Sequence, residues 1–145
     1  PRPGAGRMTT RELLNLAAIK FRYPATALVT TDSFIRNRSQ TLERFLKATL
    51  EGIKYAKANP EFTIKLLGKY SRTSDTKLLS SAFRTYVLGY IRDIPTITSS
   101  EVESALEEVA ARNPKAKGLD PRQFYDPALL ERLAKEGFTK QLYGR

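Results

Sequence analysis

Ala-Thr-Ala-Leu-Val-Thr-Thr, residues 25–31, follows Pro24 and is the one β-prone run of the chain bordered by turn chemistry. Its β-branched side chains, Thr26, Val29, Thr30 and Thr31, lose little rotamer freedom in extended backbone, and Pro24 interrupts any helix arriving from the N-terminal side. The pattern predicts a single strand. Such a strand has no ladder partner within its own chain, and an unpaired edge leaves backbone donors and acceptors open. It is therefore expected to pair outside this segment or with its own copy in a dimer, as part of a larger α/β architecture.

On both sides of this run the periodicity is helical. Thr10 can cap a short helix carrying Leu13, Leu14, Leu16, Ala17 and Ile19. A second helix begins near Ser39 with the stripe Leu42, Phe45, Leu46, Leu50 and Ile53, and places Glu43 and Lys47 on its wet side. It is expected to end at Asn59-Pro60, where Asn59 as N-cap and Pro60 at the first position start a third helix through Phe62, Leu66, Leu67 and Tyr70. Residues 74–91 carry Leu78, Leu79, Ala82, Phe83, Tyr86, Val87, Tyr90 and Ile91 on one apolar face. Thr98 and Glu101 form a capping box for a helix running to about Arg112, with Val102, Ala105, Leu106 and Val109 inward. After a linker through Pro121, Asp126-Pro127 starts a last helix that buries Leu129, Leu130 and Leu133 and stops at Gly137. Six to seven helices and one strand give an expected fold class of α+β, predominantly helical.

The 145 residues fit one domain, and 25 basic against 15 acidic side chains give a net charge of +10. Neither cysteine nor histidine occurs. Zinc fingers, thiol nucleophiles, disulfides, histidine-based triads and haem ligation by histidine are thereby excluded. At 41% hydrophobic and 28% charged residues the chain is a globular one, and no stretch reaches the ~20 apolar residues of a membrane span. The opening Pro-Arg-Pro-Gly lacks a start methionine and reads as a processed or trimmed end.

Few residues suggest chemistry. Gly4 and Gly6 lack the strand and third glycine of a dinucleotide loop, and no phosphate-cradling Gly-x-x-x-x-Gly-Lys run exists. Glu103, Glu107 and Glu108 fall beside or opposite the apolar face of their helix, as solvated carboxylates do. Ser33, Ser80 and Ser81 have no histidine and no Ser-x-x-Lys arrangement to activate them. No catalysis, cofactor or metal is expected. Arg36, Arg38, Arg44, Lys47, Lys54 and Lys57 with Tyr55 could track a phosphate backbone, but Glu43 and Glu51 break the stripe. Tyr86 and Tyr90 fall on the apolar face and are expected in the core with polar tips. Tyr23-Pro24-Ala25-Thr26 stands apart: a rigid proline, a phenol and a β-branched residue meet where helix hands over to strand, a junction suited to a hinge or a ligand rim.

A family resemblance runs through residues 11–143. It is carried by Arg11-Glu12-Leu13-Leu14-Asn15-Leu16-Ala17, by Tyr23-Pro24-Ala25-Thr26-Ala27-Leu28-Val29-Thr30-Thr31, and by Ser33-Phe34-Ile35-Arg36. Phe45-Leu46-Lys47-Ala48, Glu51-Gly52-Ile53-Lys54-Tyr55, Leu66-Leu67-Gly68-Lys69-Tyr70-Ser71-Arg72, Asn113-Pro114-Lys115-Ala116-Lys117, Phe124 and Glu136-Gly137-Phe138 follow in order. Together they resemble the second half of substrate-binding proteins of ABC importers of the nitrate/sulfonate/taurine type.

The resemblance implies a partial periplasmic-binding-protein-like (type 2) fold, with residues 1–10 a flexible segment and 11–145 a single helix-rich domain. In the family two α/β lobes close on a small solute, and the closed form docks on a membrane permease; the binding protein is not an enzyme. Residues 11–19 would be the last helix of the second lobe, Tyr23, Pro24, Ala25 and Thr26 a crossover at the cleft rim, and residues 27–31 a strand of the first lobe. Thr30, Thr31 and Ser33 form a second set of candidate ligand or hinge residues. The expected partners are a small anionic or polar solute, the permease of an ABC importer, and a second copy of the chain in a homodimer, because faces the opening half of the family would cover are bare here. The resemblance implies a periplasmic or extracytoplasmic location. The alternative is a basic helical module binding nucleic acid or a partner protein through residues 36–57.

Overall fold

The computed structural model describes residues 13, 23, 24 and 26–144. Seven α-helices follow one another among these residues: α1 (Asp32–Asn37), α2 (Ser39–Ala58), α3 (Pro60–Ser71), α4 (Thr76–Ala82), α5 (Ser99–Arg112), α6 (Ala128–Lys135) and α7 (Phe138–Tyr143). Helix α4 continues without a break into a π-wound segment, Phe83–Tyr90. Single 3-10 turns at Pro114–Ala116 and Pro121–Gln123 bridge α5 to α6.

The expected strand does not form. Thr26 is a bend and residues 27–31 run as open chain, with Val29 90% exposed, and no strand occurs among the described residues. The α+β, partial periplasmic-binding-protein-like fold class is thereby corrected to a helical one. The reason is the one visible in the sequence itself: β-branched residues favour extended backbone, but a strand needs a ladder, and no second strand occurs among the described residues to supply one. Ala25 and the helix expected from Thr10 lie outside the described residues, apart from Leu13, which is exposed.

Helix boundaries follow their local chemistry. Thr98 Oγ1 accepts from the Glu101 amide and Glu101 Oε2 accepts from the Thr98 amide at 2.8 Å, the reciprocal box anticipated for α5. Asp126 Oδ1 accepts from the Ala128 amide at 2.9 Å to start α6, and Gly137, at φ 83°, separates α6 from α7. Asn59 behaves differently from expectation. Its side chain donates back to the Tyr55 carbonyl at 2.8 Å and so closes α2 rather than opening α3. Thr63, buried, donates to the Ala56 carbonyl at 2.8 Å and sets the bend between the two helices.

The core lies around α2. Leu50 and Leu133 are fully buried, joined by Leu79, Phe83, Val87, Val102 and Ala116. The α6–α7 hairpin docks on α2 through residues spaced along one α2 face. Arg132 pairs with Glu43 at 2.8 Å, Lys47 lies 5.5 Å from the centre of the Phe138 ring, and the Tyr143 hydroxyl donates to the Leu50 carbonyl at 3.1 Å. The Glu43–Lys47 pair exists at 2.7 Å, but on the docking side, while Phe45 is left half-exposed. The buried face of α2 is thus rotated from the expected stripe, because amphipathic Glu and Lys stems cover apolar surface as well as water-facing positions.

Helix α3 packs on α4 through Gly68. A β-carbon there would stand 3.0 Å from Leu79 Cδ1 and 3.0 Å from the Thr73 carbonyl oxygen. Gly68→Ala is expected to lower stability by about 1 kcal/mol, since the crowding outweighs alanine's helix preference of similar size; thermal melting by circular dichroism reads it. Four residues on, Arg72 caps α3 in the left-handed region at φ 52°. Arg72→Gly is expected to raise stability by about 0.5–1 kcal/mol in the same assay, because it removes the side chain's steric conflict there.

Candidate functional site

The candidate residues of the crossover lie on an exposed path from α5 to α1. Tyr23 reaches the C-terminal half of α5, where its hydroxyl hydrogen-bonds the Glu108 carboxylate. That bond and the negative charge of Glu108 raise the Tyr23 pKa above the ordinary phenol value, with Arg112 opposing. Pro24 is half-buried, and Thr26 and Thr30 are exposed. Ala25 lies outside the described residues.

Thr31 and Ser33 come together, but in a structural role. Thr31 Oγ1 accepts from the Phe34 amide at 3.2 Å as the N-cap of α1, and Ser33 Oγ lies 3.0 Å from it. Of the described candidates, Thr31 and Ser33 are in contact with each other, while Tyr23 meets Glu108 on α5.

The next feature along the chain does form a pocket. Between α1 and α2, Asn37, Arg38, Ser39, Gln40 and Thr41 line an open concavity of about 250 Å³. It sits at the N-terminus of the 20-residue α2. Arg38 stands at the N-cap with no side-chain cap, and no acidic residue occupies the first turn, so the first-turn amides have neither a cap acceptor nor a carboxylate among them. The surroundings combine amide donors, the hydroxyls of Ser39 and Thr41, and the Arg38 guanidinium, a donor set that suits an anion or a polar solute rather than a cation. Reading candidate residues from side chains alone passed over this pocket. Its signal was present in the sequence, as a long helix opening on Arg-Ser-Gln-Thr where an acidic first turn is usual.

Two of the six basic side chains of the 36–57 run are engaged. Lys47 pairs with Glu43, and Lys57 pairs with Asp93 at 2.8 Å while donating to the Ile91 carbonyl. Tyr86 and Tyr90, expected in the core, are exposed with ring centres 5.7 Å apart, because π winding carries them away from buried Phe83 and Val87. Among the described residues no cluster of carboxylates could hold a metal, and no helix is long and apolar enough to cross a membrane.

The span that contains both the crossover and the pocket, residues 5–63, is similar to the family described as NMT1/THI5 like. The match covers about two-fifths of the chain and supports a resemblance to a substrate-binding family of the nitrate/sulfonate/taurine importer type, whose members are generally non-catalytic. Comparison with curated proteins and with solved structures gives no match.

Proposed function

We propose that this chain is a solute-binding component of an ABC importer, or the C-terminal part of one, which contributes one wall of a cleft for a small anionic or polar solute and makes or breaks no bond. The family match over residues 5–63 carries the reading. The pocket at the start of α2 supports it, because the helix start there has no side-chain cap and no acidic first turn, and Arg38 is the charged residue among those lining it. In this reading Tyr23, Pro24, Ala25 and Thr26 serve as hinge and rim, with Thr30, Thr31 and Ser33 behind them. Arg38, Ser39 and Thr41 supply the contacts to the solute. The partner is the importer's permease, and the place of action is periplasmic or extracytoplasmic.

The test is a thermal-melt panel with nitrate, alkyl sulfonates, aromatic acids, pyrimidine-like compounds and a short DNA duplex, each at low and moderate salt. One small solute is expected to raise the melting temperature at both salt levels, by the equivalent of about 2.7 kcal/mol at a hundredfold excess over its Kd. Arg38→Gln should weaken the shift. Silence with every solute would overturn binding by this chain, and a shift with DNA alone that vanishes with salt would replace the reading with a phosphate-backbone binder.

A further inference from the structure

Helix α3 has two apolar faces, and the architecture covers one of them. Buried Thr63 and Gly68 and half-buried Leu67 face inward, Gly68 against α4. Phe62, Leu66 and Tyr70, each four residues after the last, form a separate stripe about 80° wide. Phe62 is half-exposed, Leu66 39% exposed and Tyr70 76% exposed. Tyr55, at the end of α2, extends the stripe, since its half-exposed ring meets Phe62 edge to face at 5.4 Å. These four side chains leave on the order of 450 Å² bare, a patch of the size class that is commonly functional.

We propose that this stripe is the contact between two copies of the chain, with α3 packed antiparallel to the partner's α3 about a two-fold axis at Leu66. The charges beside the stripe select that occupant and that direction. Glu61, Lys65 and Lys69 share one edge of α3, and Lys69 Nζ lies 5.9 Å from the centre of the Tyr70 ring, at the margin of the patch. Glu61 and Lys65 have no ion-pair partner among the described residues. In an antiparallel pair the same edge meets itself reversed. Phe62 then packs on the partner's Tyr70 and Leu66 on the partner's Leu66, and Glu61 comes within reach of the partner's Lys69, twice per dimer, across an axial offset of about 3 Å, while the two Lys65 side chains near the axis spread outward to solvent. A parallel pair would set Glu61 against Glu61 and Lys69 against Lys69. The four apolar side chains provide about half of the ~800 Å² per partner of a standard interface, and the stems of Lys65 and Lys69 lie where the rim would be.

Sedimentation velocity of the intact chain from about 1 to 200 µM tests the proposal, because that range brackets micromolar affinity. The expected result is a concentration-dependent rise from monomer to dimer mass. Leu66→Glu should hold the chain monomeric throughout with an unchanged far-ultraviolet circular dichroism spectrum, since Leu66 lies outside the core. Glu61→Lys and Lys69→Glu should each weaken the dimer about fivefold, and the double exchange should restore it, as two facing charge pairs require. A monomer mass at every concentration would overturn the proposal and leave the stripe to another polypeptide. A dimer that survives Leu66→Glu, or a double exchange that fails to restore association, would equally overturn this face and this direction.

Discussion

Leu50→Ala is expected to destabilise the fold by about 3 kcal/mol, within the range for a leucine deleted from a site that cannot collapse. Leu50 is 1% exposed at the middle of α2, and its own carbonyl receives the Tyr143 hydroxyl. The side chain and the backbone of one residue therefore hold two different contacts. Tyr143→Phe separates them: it keeps the ring and removes one hydrogen bond, for an expected loss of about 1 kcal/mol. Urea unfolding followed by circular dichroism measures both. Among the described residues Leu133 is the other fully covered leucine that shares the load. A domain of ordinary stability, about 5–15 kcal/mol, would lose a large fraction of it in the Leu50 variant.

Glu101→Ala is expected to cost about 2–3 kcal/mol, because a single carboxylate satisfies two separate parts of the chain. Glu101 is 7% exposed; one oxygen accepts from the Thr98 amide and hydroxyl, and the other from the Arg92 guanidinium. Arg92 in turn donates to the Thr96 carbonyl at 2.7 Å, so the turn after the π-wound segment is folded back onto the start of α5. Burial alone would push the Glu101 pKa up, but the hydrogen bonds from Arg92 and Thr98 together prevail and hold it below the usual carboxylate value. A depressed folded-state pKa stabilises the fold in full above the unfolded value, near pH 4.3, and that stability disappears as pH falls through the folded pKa. Acid unfolding of the native chain should therefore be steeper below about pH 4.3 than that of Glu101→Gln, whose amide keeps an acceptor but does not titrate. Equal acid midpoints for the two would remove Glu101 from the account.

The helices whose ends are written in side-chain chemistry are legible in the sequence. Thr98 with Glu101, Asp126 with Pro127, and Gly137 each act within four residues, and each behaves as its type dictates. Helices α1 and α7 were not foreseen. Six residues are too few for a hydrophobic period to show, and α1 is held by the Thr31 cap that had been assigned to a ligand site. The run 25–31 shows the opposite failure: its local preference for extended backbone is plain, but pairing is a property of what lies beside it. The phase of α2 is not legible in its apolar pattern, because Glu43 and Lys47 face α6–α7 with their stems packed and their charges matched by Arg132 and by the Phe138 ring. For the candidate site, residue type pointed to hydroxyls and a phenol, of which Thr31 is used as a cap and Tyr23 binds Glu108. The concavity at Asn37–Thr41 shows in the sequence only as a long helix that opens on Arg38-Ser39-Gln40-Thr41 without an acidic first turn, a signal that a search for reactive side-chain types does not weigh.

The π-wound stretch Phe83–Tyr90 has a consequence for how the chain tolerates changes of length. Its amides bond five residues back, as Ile91 does to the Tyr86 carbonyl at 3.0 Å, so each turn holds more residues than an ordinary helical turn. Deleting Gly89, which is exposed, would let the coil tighten instead of tearing it, and would swing Tyr90 round relative to buried Val87. In most helices losing one residue scrambles every contact downstream; here the surplus is stored in the winding, and a shortened relative can keep the same two ends while presenting a different surface between them.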